Sequence, residues 1–167
     1  MTQTLAAAVA TYPATTPDWQ IADTLNAPDA TAYGSVTGDI PLAALEGILA
    51  HQGVLGALRA IVMPNGNTLG NYMVPSGGSA AQLLHVALTV TSLIDSARLT
   101  AVQTSDPTNL AQFQGGAAVM LAFGAITQAQ HDALVALVPS VAQSWSTINN
   151  GGVAVSARDI GLARGGV

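Results

Sequence analysis

Ser79-Ala80-Ala81-Gln82-Leu83-Leu84-His85-Val86-Ala87-Leu88-Thr89-Val90-Thr91-Ser92-Leu93-Ile94 is the stretch that decides the fold. It is too long and too continuously apolar for an ordinary strand, and it opens on a serine of the kind that caps helices. A helix is expected from Ser76 or Ser79 to about Leu99, apolar on nearly every face through Leu83, Leu84, Val86, Leu88, Val90, Leu93 and Ile94. Such a helix belongs at the centre of a bundle. It is too short to span a bilayer, carries Gln82 and His85, and has no basic anchors at its ends, so it reads as a core helix and no membrane partner is expected.

Helical signals continue on both sides of it. Upstream, Thr2 to Ala10 is an alanine-rich helix ending before Tyr12-Pro13, and Thr16-Pro17-Asp18 is a cap with proline at the first helical position, opening a helix through about Asn26. Trp19, Ile21 and Leu25 are its expected anchors. Asn26 to Gly38 reads as a loop with room for a short extended piece. Asp39 then reads as the cap of one helix, with Leu42, Leu45, Ile48, Leu49, Leu55, Leu58 and Val62 at three- and four-residue intervals, bent at Gly53 and Gly56 and closed by Pro64. Asn65 to Gly78 is the longest expected loop.

Downstream, Asp106-Pro107 starts a helix to about Phe123, weakened at Gly115-Gly116 and released at Gly124. Thr127 and Gln130 form a capping box for a helix ending at Pro139. A turn at Ser140 to Ile148 leads to the Asn149 to Gly152 loop, an extended Val153 to Val155, and a last helix capped by Ser156 with Asp159 and ending near Arg164. With no repeat and no linker, the expectation is a single all-α domain over residues 1–167, a bundle of six to seven helices with Gly/Pro-rich loops.

Composition then narrows function. Half of the residues are apolar and only 8% are charged, against about a quarter in an ordinary soluble domain, so too little charge is present to cover a monomer's surface. A homo-oligomer is expected. There is no lysine, and Arg59, Arg98, Arg158 and Arg164 are scattered over a chain of net charge −5, which is no footprint for a phosphate backbone; nucleic acid is not an expected partner. The missing lysine removes P-loop, kinase and Schiff-base chemistry, and the missing cysteine removes thiol catalysis, Cys-ligated zinc and iron–sulfur clusters.

The remaining candidates each have a cheaper explanation. His51, His85 and His131 lie on separate helices without metal-motif spacing; His85 is expected as a buried neutral imidazole, His51 and His131 as boundary residues. Pro75-Ser76-Gly77-Gly78-Ser79 lacks the spacing of a nucleophile elbow, and as an anion cradle before a helix it is more often a turn. Of Asp18, Asp23, Asp29 and Asp39, three suit a first turn, a turn and a cap, and no calcium loop surrounds them. Trp19 and Trp145 read as core anchors. The expectation is no enzyme, no catalytic residue, no metal and no cofactor.

At the C-terminus, Ser144-Trp145-Ser146, then Asn150-Gly151, then Val155-Ser156-Ala157-Arg158-Asp159-Ile160-Gly161-Leu162-Ala163-Arg164-Gly165-Gly166 resembles the ending of small uncharacterised proteins of tailed bacteriophages. Asp18 to Asn26 and Leu134 to Val138 resemble the opening helix and the segment before that ending. The acidic residue usual after the tryptophan is absent here. The resemblance implies a structural component of the virion, of the tail or neck, contacting other virion proteins and made in the host cytoplasm, and it implies no catalytic residues. The contact regions expected are the terminal segments and the Asn65 to Gly78 loop. The alternative is a phage-encoded adaptor or inhibitor that binds one host or phage protein and never enters the particle. An enzyme built on His85 or the aspartates is the reading these residues support least.

Overall fold

The structure is a computed structural model that describes residues 3–63, 68–96 and 98–165. Thr2 of the first expected helix, the expected stop at Pro64, the start of the Asn65 to Gly78 loop and the final Gly166 lie outside the described residues. The fold class is the mainly-α one expected. Ten α-helices form among the described residues, more and shorter than the six or seven anticipated. They gather into two compact units, one made of residues 1–36 and 140–167, the other of residues 37–139.

The first unit joins both ends of the chain. Its helices are α1 (Leu5–Val9), α2 (Asp18–Asn26), α3 (Ala30–Tyr33), α9 (Trp145–Asn149) and α10 (Ala157–Ala163). Strand β1 (Ser35–Thr37) pairs with β4 (Ser140–Ala142). Ile21, Ala22 and Leu25 of α2 pack with Ala8, Val9, Trp145, Val155 and Ile160 to form its core. Ile21 and Ile160 are wholly buried.

Two expectations for α2 need correction. The helix starts one residue later than Thr16-Pro17 suggested: Pro17 occupies the cap position and no side chain caps it. Trp19 is 60% exposed and anchors nothing in this core. The reason is helical phase, since Trp19 lies about 200° around the axis from Ile21, on the face opposite the buried one. Trp145, by contrast, is the buried anchor expected, and its Nε1 donates to Gln3 Oε1 at 3.1 Å.

Two further helices form where a loop and a turn were expected. Asp29 accepts from the N–H groups of Thr31 and Ala32 and so caps α3. Ser144 caps α9 by accepting from Thr147 N–H. Val153 to Val155, expected to be extended, joins no strand, but Val155 is held across the unit by Asn26. The final capping box is as expected: Ser156 Oγ accepts from Asp159 N–H while the Asp159 carboxylate accepts from Ser156 N–H.

The second unit contains β2 (Ile40–Pro41), α4 (Leu42–His51), α5 (Val54–Val62), a 3-10 turn (Leu69–Asn71), α6 (Ala80–Ile94), β3 (Ala101–Val102), α7 (Pro107–Ala122) and α8 (Gln128–Val135). The single helix expected from Asp39 to Val62 is in fact two, meeting at 91°. Gly53 makes the break. Its φ of 72° is left-handed, a conformation that ends one helix cheaply and starts the next. Asp39 caps neither; its carboxylate accepts from Ser105 N–H at 2.9 Å, while β2 pairs antiparallel with β3, Ile40 opposite Val102.

The core of this unit gathers Leu45, Leu49, Leu55, Leu58, Ile61 and Leu83 with Met120, Phe123 and Leu134. Helix α6 begins after Ser79 as expected but stops at Ile94, short of Leu99. It is not apolar-buried all round: only Leu83, Ala87 and Thr91 are buried, while Leu88 is 47% exposed. The Thr91 hydroxyl satisfies itself within the helix by donating to Ala87 C=O. Helix α7 is capped by Asp106 with Pro107 in its first turn, and Gly124, at φ 70°, takes the chain out of it. Thr127 and Gln130 form the expected reciprocal box at α8.

Candidate functional site

In the second unit a half-open cleft of about 830 Å³ lies between α6 and α7. Val86, Val90 and Leu93 form one wall, and Phe113, Gly116 and Met120 form the other. Its floor reaches the core at Leu45, Leu49 and Leu134. The mouth is polar, with no Asp, Glu, Lys or Arg from either helix: His85 and Thr89 stand on the α6 side, Asn109, Gln112 and Gly115 on the α7 side. Arg98 and Asp39 flank it from the connecting segments.

Two glycines, Gly115 and Gly116, line the α7 side of the cleft. A Cβ added at Gly116 would meet only Val86 Cγ1, at 3.8 Å, and one at Gly115 would meet nothing within 4 Å. Both positions thus have room for a methyl group beside the cleft. At the rim, Ser105 donates from its hydroxyl and its backbone N–H to Asp39, and both bonds hold that carboxyl below the usual range.

The sequence-stated candidates fall elsewhere or apart. His85 is exposed at the cleft mouth, a correction to the buried imidazole expected, because it lies about half a turn from Leu83. His51 is exposed rather than at a boundary, and His131 is partly buried beside Asp132, 3.2 Å away. Among the described residues, no group of three or more metal-ligating side chains comes together. Asp18, Asp29 and Asp39 serve an ion pair, a cap and a loop clamp.

Pro75 to Ser79 is a tight turn. Gly77 has φ 80°, Gly78 N–H donates to Pro75 C=O, and a Cβ at Gly78 would stand 3.0 Å from Pro75 Cγ. Gln82 Oε1 takes the Ser79 N–H, so the start of α6 is filled by its own side chain. The described part of the long loop does expose apolar groups, Met73 at 74% and Val74 at 49%. In the first unit the terminal segments expose Val153 and Leu162 around a hollow of about 440 Å³.

Thr89, Gln112 and Gly115 were not among the candidates drawn from sequence. The signal that finds them is an absence: Ala80–Ile94 and Pro107–Ala122 contain no Asp, Glu, Lys or Arg. No single helix among the described residues is long and apolar enough to cross a membrane. Set against known proteins, the chain matches no family model, no curated protein and no solved structure.

Proposed function

We propose that this chain is a structural component of a tailed-bacteriophage virion, in the tail or neck, and that it works by protein–protein assembly. The observation that carries the reading is the partly apolar surface that α6 and α7, two helices without Asp, Glu, Lys or Arg, leave open to solvent around their cleft in the isolated chain. Exposed surfaces of this kind mark contact sites more often than idle surface. The resemblance of the Ser144 to Gly166 ending to small phage proteins supplies the setting. Its partners are other virion proteins and further copies of itself, with no role for nucleic acid, cofactor or membrane.

The second reading is an adaptor or inhibitor that binds one host or phage protein outside the particle. The depth of the cleft favours it, since a floor at Leu49 and Leu134 suits one inserted apolar side chain. Mass spectrometry of purified particles, beside the lysate they came from, separates the two. Recovery of the chain in particles at a fixed ratio to the other virion proteins supports the structural role. Its presence in the lysate and absence from particles overturns that role in favour of the adaptor.

A further inference from the structure

Helices α6 and α7 are the two longest of the described residues, 15 and 16 residues, and neither carries Asp, Glu, Lys or Arg; His85 of α6 is the one titratable side chain on them. A surface helix ordinarily carries charge on its outer face. Here the outward positions are small or neutral: Thr89, Ser92, Gln112, Gly115 and Ala118 are all exposed, next to the half-exposed Leu88. Because His85 and Thr89 share the cleft mouth with Gln112 and Gly115, the two helices present one continuous face.

We propose that this face is the contact surface between two copies of this chain, α6 and α7 of one packing against α6 and α7 of the other about a two-fold axis. The choice of occupant follows from charge. In a two-fold contact each residue near the axis meets its own counterpart, so any charge there faces its like. In a chain of net charge −5, a face without Asp, Glu, Lys or Arg brings no like-charge clash to the axis, and these helices offer such a face. A partner recognised by opposite charge would find nothing on them to pair with.

The size agrees. Helices of this length extend about 24 Å, and two side by side cover about 20 Å, so the face offers roughly 500 Å² per copy. The total, about 1,000 Å², is at the lower end for a specific interface. An interface of this size fits a reversible dimer rather than a permanent one. Gly115 and Ala118, small and exposed, let the second copy approach closely, with Leu88 as the large apolar side chain of the face.

This inference rests on the assembly reading above but fails separately from it. Sedimentation velocity over a concentration series compares the parent chain with Thr89→Arg, Gln112→Arg and the control Ala43→Arg, an exposed position on α4. Circular dichroism confirms that each variant is folded. The expected result is a reversible dimer whose dissociation constant rises about tenfold or more with either face variant and stays unchanged with the control. A parent chain that is monomeric throughout, or a dimer indifferent to both face variants, overturns the proposal. A monomer that is nevertheless found in purified particles removes this contact and leaves the virion role standing; a dimer lost with Thr89→Arg in a chain absent from particles does the reverse.

Discussion

The Asn26 carboxamide holds the backbone of Val155 from both sides: its Nδ2 donates to Val155 C=O and its Oδ1 accepts from Val155 N–H, each at 2.8 Å. One side chain at the end of α2 thus satisfies both polar groups of a residue that would otherwise be buried without partners. This is how a segment with no strand pairing is kept against the core, and it ties the two ends of the chain into one unit.

Asn26→Ala leaves both Val155 groups unpaired and is expected to lower stability by about 2–3 kcal/mol. Asn26→Asp keeps the acceptor and loses the donor, so its loss is smaller. Denaturant unfolding of the three proteins checks the order; equal stability of the parent and the alanine variant contradicts the clamp.

A second tie holds the other end of α2. Arg164 donates to Asp18 at 2.6 Å and to the carbonyls of Thr16 and Pro13, fixing the end of α10 to the start of α2. The pair is partly solvated, so Arg164→Ala is expected to lower stability by only about 1 kcal/mol. Arg164→Lys recovers little of that, because a single ammonium cannot reproduce the fork that reaches three oxygens. Thermal unfolding of both variants is the check.

Ile160→Ala should be far worse than either surface change. Ile160 is wholly buried against the α2 side of the core, and its truncation is expected to cost about 2–4 kcal/mol through lost burial and the cavity left behind. Trp19→Ala, at a position 60% exposed, should change stability by less than about 0.5 kcal/mol. A Trp19 effect as large as that of Ile160 would contradict the phase assigned to α2.

Acid sensitivity follows from the caps. Backbone N–H bonds from Asn109 and Thr108 hold the Asp106 carboxyl below its ordinary range, and hydrogen bonds from Ser156 do the same for Asp159. A carboxyl depressed by folding contributes stability above its unfolded value and loses it as pH falls through the folded one, so unfolding should be promoted below about pH 4. Asp106→Asn retains a capping oxygen without the titration and should flatten the dependence of the thermal midpoint in that range. Identical acid profiles would contradict this.

What the sequence made legible was local and chemical. Asp106-Pro107, Thr127 with Gln130, Ser156 with Asp159 and Gly124 announce helix ends through side chains that satisfy specific backbone groups, and each stands where expected. Gly53 reads from sequence as a bend and not as a full break, because the apolar spacing from Leu42 to Val62 runs on across it. Strands of two or three residues, such as Ile40–Pro41, are too short to show alternation. Trp19 and His85 were misplaced by residue type: an aromatic ring and an imidazole in an apolar stretch look buried until helical phase is worked out. For the candidate surface, the missing charges on two helices could be read directly, but their meeting at one cleft could not, since it depends on how the chain returns through residues 98–106.

The mass of the purified chain, measured by light scattering over a wide range of concentrations, tests the central claim of self-assembly most directly. The account predicts a weight that climbs reversibly with concentration from the monomer's 16.7 kDa towards the dimer. A mass that stays at the monomer value at every concentration would contradict it.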